Sequence, residues 1–271
     1  MKKTSATPRF SVVIPCYNEE HYIGDTLASL QQQVFDGTFE VIVVNNNCSD
    51  GSAKIAKELG ARIVYEKRAG VCWARQAGTA AARGEIVIST DADTIFTPQW
   101  LQTIDETFKQ HSDYVAVAGP CTYRSGPWWG RTYPKLLFRA VDGYCRLFGR
   151  PFYITATNIA FKKSFWQGYD VNTPQGGDEL SLLRQLRKQG KVAFVRSNPV
   201  YTSARRLKRG LLYNLFVTLI FYYLCGYYLD RIFRRTIIGP APAYRFSDDE
   251  ETKTENARLQ PSVLLGNKLN D

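Results

Sequence analysis

The sequence predicts an α/β fold built on a mostly parallel, Rossmann-like sheet with helices on both faces. Three observations carry that expectation. Over the first 122 residues, short apolar runs alternate with stretches of helical periodicity. The runs are rich in Val and Ile without polar alternation, as strands covered on both sides must be. Polar clusters follow them at their carboxyl ends, where open α/β sheets hold ligands.

The elements follow in order. "FSVVIP" (Phe10 to Pro15) reads as a strand closed by proline, and Ile23, Leu27 and Leu30 then recur at i, i+4, i+7 of a helix. "FEVIVVN" (Phe39 to Asn45) is a second strand, followed by the turn-rich "NNNCSDGS". Ser52 to Leu59 reads as helix, "ARIVYE" as strand, and the alanine-rich Cys72 to Arg83 as helix. "EIVIST" is the next strand. Pro98 to Lys109 is a helix with Trp100, Leu101, Ile104 and Phe108 on one face, and "YVAVAGP" closes the run. From about Tyr123 the texture changes. "GPWWGRTYPKLLFRAVDGYCRLFG" is aromatic and partly helical, "YITATNIAFKK" is strand-like, and "GGDELSLLRQLRKQGK" is a glycine loop opening an amphipathic helix before the strand "VAFV".

Four segments are expected: 1–122 as the ligand-binding part of one α/β domain, 123–205 as its second part, 206–246 as a hydrophobic and basic helical segment, and 247–271 as a mobile polar tail. Leu211 to Leu229 carries no charge and holds five tyrosines between basic flanks. Such composition suits a helix lying in a membrane interface better than a span; a buried helix or an oligomer contact fits equally. The chain has 271 residues and ordinary globular composition, with 44% hydrophobic and 22% charged residues. Its net charge of +10 suits anionic partners. Six cysteines without a CxxC and only two histidines exclude a zinc site of common type, and reduced thiols in the cytoplasm are the expectation. No apolar run follows the basic start "MKKTSATPRF".

The sharpest chemical signal is "STDADT", where a strand ends in two carboxylates one residue apart, Asp91 and Asp93. Paired carboxylates suit Mg²⁺ or Mn²⁺ shared with a substrate phosphate. The polar ends at Cys16 to Glu19, Asn45 to Asp50 and Asp91 to Asp93 are expected to converge on one crevice. A dehydrogenase or a nucleotidyltransferase would place a glycine-rich loop after the first strand, and "PCYNEEHY" has none. A basic nucleotide- or nucleic-acid-binding protein is the rival class, but the cations are spread rather than striped, so no nucleic acid is expected as partner.

Five segments in order, "SVVIPCYNEEHYIGDTLASL", "FEVIVVNNNCSDGS", "GVCWARQAGTAAARGEIVISTDADT", "TATNIAFKKSFWQGYD" and "GGDELSLLRQLRKQGK", resemble the family 2 glycosyltransferases. The resemblance implies the GT-A nucleotide-diphosphosugar fold, and an inverting transfer from a nucleotide-sugar, UDP-linked by preference, to an acceptor hydroxyl in cell-envelope polysaccharide or glycolipid synthesis; the hydrophobic Leu211 to Leu229 points to a sugar or lipid-linked acceptor at the cytoplasmic face of a membrane. By that resemblance Pro15, Tyr17, Asn18 and Glu19 hold the nucleotide. Asn45 and Asn46 stand where the family usually carries two aspartates, with Asp50 further on and Arg75 near the diphosphate. Asp91 also serves the donor, and Asp93 with Asp91 holds Mn²⁺ or Mg²⁺. The family's glutamate–aspartate pair is reversed here as Asp178 and Glu179, and either carboxylate suits the base. Asn158 and Trp166 fall beside the acceptor. Arg205 and Arg206 suit a diphosphate or a membrane surface.

Overall fold

The computed structural model describes residues 7–172, 178–213, 216–217, 221, 225, 227–233 and 238. A seven-stranded sheet forms the centre, made of β1 (Phe10–Cys16), β2 (Phe39–Asn45), β3 (Arg62–Tyr65), β4 (Ile86–Ser89), β6 (Tyr114–Ala118), β8 (Ile159–Lys162) and β9 (Lys191–Phe194), in the order β3-β2-β1-β4-β8-β6-β9. A second sheet of β5 (Thr94–Phe96), β10 (Val200–Thr202) and β7 (Cys121–Tyr123) lies in the order β5-β10-β7. The helices are α1 (Ile23–Gln31), α2 (Ser52–Glu58), α3 (Val71–Ala81), α4 (Trp100–Gln110), α5 (Trp128–Phe148) and α6 (Leu180–Gln189).

β1 is the third strand of the order and is parallel to both β2 and β4. Its ladder with β4 ends at Val13 and Ser89, so Pro15, which has no N–H to offer, falls beyond that ladder. The chain winds from β1 outward to β3, then returns to β4 on the other side. That reversal makes the gap above β1 and β4 the topological switch point, the usual ligand position in such sheets. One departure from an all-parallel reading is β8, which runs antiparallel to both β4 and β6. Its strand also starts only at Ile159, leaving the threonine-rich residues before it as a loop.

Both faces of the sheet are dry. On one face Phe10, Val12 and Ile14 meet α1 and α4 through Leu27, Leu30, Trp100 and Ile104. On the other, Val13, Ile42, Val44 and Val87 meet Ala74 of α3 and Leu182, Leu183 and Leu186 of α6. Each fully buried branched side chain stabilises by about 1.5–3 kcal/mol, so β1 anchors the fold. The approach of α3 is unusually close. A Cβ placed on Gly78 would collide with Val13 and sit 2.8 Å from Val44 Cγ2, so no residue but glycine permits this spacing.

α5 is a full helix of 21 residues that tolerates Pro134 in its interior and ends at Gly149 in the left-handed region (φ 68°). Among the described residues no helix is long and apolar enough to cross a membrane. Much of Leu211 to Leu229, and all of 247–271, lies outside the described residues.

Candidate active site

The ends of β1 and β2 are laced into one rim. Asn18, left-handed at φ 54°, accepts from the Ser49 N–H through Oδ1 at 2.8 Å. Asp50 accepts from the Glu20 N–H at 3.1 Å and from the Ser52 hydroxyl at 2.6 Å, while Glu20 accepts from the Gly51 N–H at 2.7 Å. Asn45 Oδ1 accepts from the Cys48 N–H at 2.9 Å. Tyr17 stands out from this rim, more than a third exposed. The sulfurs of Cys16 and Cys48 lie 4.0 Å apart. The Cys48 thiol, which reaches the Cys16 carbonyl at 3.3 Å, is pulled down to about 7 by its hydrogen bond with Cys16 and by the Asn18 N–H, and that same bond together with burial moves Cys16 up.

Arg75, one helical turn before Gly78, is drawn over the end of β4 by the same close packing. It is 2% exposed. Nη1 donates to Ser89 Oγ at 2.5 Å and to the Thr90 carbonyl at 3.1 Å. Nη2 donates to Asp91 Oδ1 at 2.6 Å and Nε to Asp178 Oδ2 at 3.1 Å. Burial opposes its charge, and Asp91 and Asp178 outweigh that cost. Thr157 donates to the second oxygen of Asp91 at 2.6 Å. Arg75 therefore ties the strand-end carboxylate to Asp178, which lies 103 positions after Arg75 at the start of α6.

The loop is pinned between its two aspartates, where the Ala92 carbonyl accepts from Thr26 Oγ1 at 2.7 Å. Asp93 then faces the small sheet. Because Thr202 of β10 pairs with Thr94 of β5, its hydroxyl reaches Asp93 Oδ1 at 2.8 Å, and the chain beyond β10 delivers Arg205 to Asp93 Oδ2 at 3.2 Å. Arg205 also grips both oxygens of Glu19, at 2.6 and 2.5 Å. Burial raises the Glu19 carboxyl, with Arg205 pulling against it and Asp93 and Asp91 adding to it.

Glu179 caps the amino end of α6, its carbonyl accepting from the Leu183 N–H at 2.9 Å. Unlike Asp178, it makes no ion pair among the described residues. Burial first, and then its neighbour Asp178, push its carboxyl up to about 8. Thus Asp178 is held by Arg75, while Glu179, without an ion pair of its own, keeps a carboxyl group that burial and Asp178 hold towards its protonated form.

Within this network two guanidinium groups, Arg75 and Arg205, face five carboxyl groups, Glu19, Asp91, Asp93, Asp178 and Glu179. That acid excess, all hard oxygen, fits a Mg²⁺ or Mn²⁺ ion. Among the described residues no group of three or more His, Cys, Asp or Glu forms a ready metal cage. The protein can supply Asp91 and Asp93, and the remaining ligands must come from substrate and water, as is usual for Mg²⁺.

Several residues expected at the ligand turn out to be committed elsewhere. Asn46 is buried, donates to the carbonyls of Glu66 and Arg68 at 2.8 and 2.7 Å, and accepts from the Gly70 N–H at 2.9 Å, so it fastens the 66–70 turn instead of facing a base. Asn158 is 2% exposed; it accepts from Trp100 Nε1 at 3.0 Å and donates both amide hydrogens to the carbonyls of Pro120 and Asn198, so it is turned into the core and ties three segments together there. Arg75 has its donors turned to protein oxygens and positions carboxylates instead of a diphosphate. Arg205 likewise is spent on Glu19 and Asp93. Trp166 is half-buried, packed against the core on the α3–α6 side of the sheet and edge-on to Tyr169 at 6.0 Å between ring centroids. The Arg206 side chain lies outside the described residues. Sequence reasoning missed Thr157 and Thr202, the hydroxyls that orient Asp91 and Asp93. Thr157 had a signal, since it immediately precedes Asn158 in a motif already singled out; Thr202 had none.

The model of Glycosyl transferase family 2 matches residues 11–168, more than half of the chain, and the protein belongs to that family. It is 27% identical over 190 residues to the glucosyl-dolichyl phosphate glucuronosyltransferase of Haloferax volcanii, covering 63% of this chain and 59% of that one. It is 30% identical over 106 residues to the dolichyl-phosphate hexose transferase of the same organism, covering 39% and 46%. The chain aligns with between 33% and 59% of the length of the first three curated relatives. Among solved structures, S. aureus TarS 1-349 in complex with UDP has a TM-score of 0.58 at 19% identity, over 72% of this chain and 60% of that one. Glucosyl-3-phosphoglycerate synthase from Mycobacterium tuberculosis, in complex with Mn²⁺, UDP-glucose and phosphoglyceric acid, has a TM-score of 0.56 at 23% identity, over 74% of each. These likenesses establish the GT-A fold.

Proposed function

We propose that the protein is an inverting glycosyltransferase that moves a sugar from a UDP-sugar to an acceptor hydroxyl in the synthesis of cell-envelope polysaccharide or glycolipid. One observation supports the reading above the others: Arg75 joins Asp91 to Asp178, beside Glu179, above the switch point of the sheet. In this reading the rim of Tyr17, Asn18, Asn45 and Asp50 receives the nucleoside. Asp91 and Asp93 hold a divalent cation, which supplies charge neutralisation for the diphosphate that leaves. Glu179 takes the proton of the acceptor hydroxyl as its oxygen attacks the anomeric carbon, and the attack opposite the leaving group inverts the configuration. Asp178, fixed by Arg75, keeps Glu179 basic through its charge. The names of the two dolichyl-phosphate relatives support a lipid-linked acceptor, and the UDP complexes of the two structural neighbours support the donor.

A thermal-shift panel of nucleoside diphosphate sugars, each with and without Mn²⁺, tests the reading. The expected result is a Mn²⁺-dependent rise in Tm with UDP-sugars. A chain that binds no nucleotide sugar with any divalent cation is not this enzyme.

A further inference from the structure

The outer face of α5 has no role in the site just described. Five cations lie on and just past this helix, Arg131, Lys135, Arg139, Arg146 and Arg150, and Asp142 is the lone acid between residues 126 and 150. Asp142 is turned inward, where Arg196 and Arg146 pair with it at 3.4 and 3.1 Å. Among the described residues Arg131, Lys135 and Arg139 make no ion pair. At 3.6 residues per turn these three form one row, and Trp128 and Arg146 continue it. Beside the row, at the same helical spacing, run Leu136, Ala140 and Leu147. Trp128 and Leu147 are each 75% exposed and Leu136 is 58% exposed. A solvated helix face of 21 residues does not ordinarily leave a tryptophan and two leucines in water beside unpaired cations.

Leu207 packs against Gly126 and Gly130 on the buried side of α5 and fixes the start of the helix beside the turn that carries Arg205 to Glu19 and Asp93.

We infer that α5 lies flat on an anionic phospholipid surface, its row of Arg131, Lys135 and Arg139 on the headgroups and Trp128, Leu136 and Leu147 dipping among the acyl chains. The combination of cations and large apolar side chains on one exposed arc is what such a surface selects. A second copy of the chain would bring like charges together. Duplex nucleic acid would satisfy the cations but leave the leucines in water. The inference stands apart from the transferase reading, because vesicle binding needs no donor.

The test is sedimentation of the full chain with sucrose-loaded vesicles of phosphatidylcholine, with or without phosphatidylglycerol. Binding is expected to phosphatidylglycerol-containing vesicles, weakened by salt. The combined Arg131→Glu, Lys135→Glu and Arg139→Glu variant should lose more than tenfold in partitioning, since each cation at an anionic surface contributes roughly fivefold. Leu136→Ser with Leu147→Ser should lose a further part without changing the salt dependence. The donor-induced thermal shift of these variants should match that of the native chain, which also shows that they fold. Trp128 supplies a measurement on unaltered surface charge: the fluorescence difference between the native chain and Trp128→Phe should shift to the blue on these vesicles. Undiminished binding by the charge-reversed variant overturns the inference, as does an unshifted Trp128 signal, equal binding to pure phosphatidylcholine, or preference for duplex DNA over vesicles.

Discussion

Arg205 holds both carboxylate oxygens of Glu19, 186 positions earlier in the chain, at 2.6 and 2.5 Å, and touches Asp93 with the same guanidinium. The carboxyl end of β1, the second aspartate of the strand-end pair and the segment after β10 are thereby one electrostatic unit. Fork-to-fork pairing of this kind is geometrically demanding, and lysine cannot reproduce it.

Asp93→Ala should abolish the Mn²⁺-dependent part of the UDP-sugar thermal shift while leaving the fold intact, because Arg205 still has Glu19. Retained Mn²⁺-dependent turnover in that variant would remove Asp93 from the metal site.

Arg75→Ala strands Asp91 and Asp178 without their shared partner. Removing one member of a buried ion pair costs about 3–5 kcal/mol, and the lower end applies here because Asp91 keeps some solvent. Chemical denaturation measures it. Arg75→Lys should recover little, since an ammonium cannot reach Ser89, Asp91 and Asp178 together. A variant as stable as the native chain would mean that Arg75 is not the hub.

Glu179→Gln should reduce kcat by about 10²–10⁴-fold with donor binding unchanged. In the native chain kcat/KM should rise with pH through about 8, where the Glu179 carboxyl ionises. Stability follows the opposite course. A carboxyl raised from 4.5 to about 8 favours the folded state fully below 4.5, and that contribution is lost as pH rises through about 8. The glutamine variant should therefore gain stability over the native chain towards alkaline pH. A pH-independent difference in Tm would show that Glu179 is not held protonated.

Cys48 should be the thiol that iodoacetamide labels first near neutral pH, since its thiolate is favoured near 7 while burial pushes Cys72 up to about 12 and raises Cys121. Cys225 is exposed, so the comparison is made in a Cys225→Ser background. UDP with Mn²⁺ should slow the labelling, and peptide mapping gives the site. Labelling unaffected by nucleotide would move the nucleoside away from the Asn18–Cys48 rim.

The strands were legible because Val and Ile runs such as Phe39–Asn45 admit no other reading at that length. Strand direction was not, since the pattern of Ile159–Lys162 is the same whether it runs with or against β4. The strand-end carboxylates and the reversed Asp178–Glu179 pair stood out as charges where apolar patterns break. The roles of Asn46 and Asn158 were hidden because a polar side chain gives no sign in sequence of the carbonyls that will saturate it. Arg75 misled for a related reason. Arginine is rarely buried, and only the small residues around it, Ala74 and Gly78, mark that stretch of α3 as pressed to the sheet.

That pressing has a practical cost for anyone trying to harden this enzyme. Swapping helical glycines for alanine is a routine way to stiffen a protein, and at Gly78 it would fail twice. The added methyl would lever α3 off β1 and β2, and the same displacement would withdraw Arg75 from the carboxylates it aligns. Melting temperature and turnover should fall together there, which makes one hydrogen atom on a helix the spacer that sets Arg75 against Asp91 and Asp178.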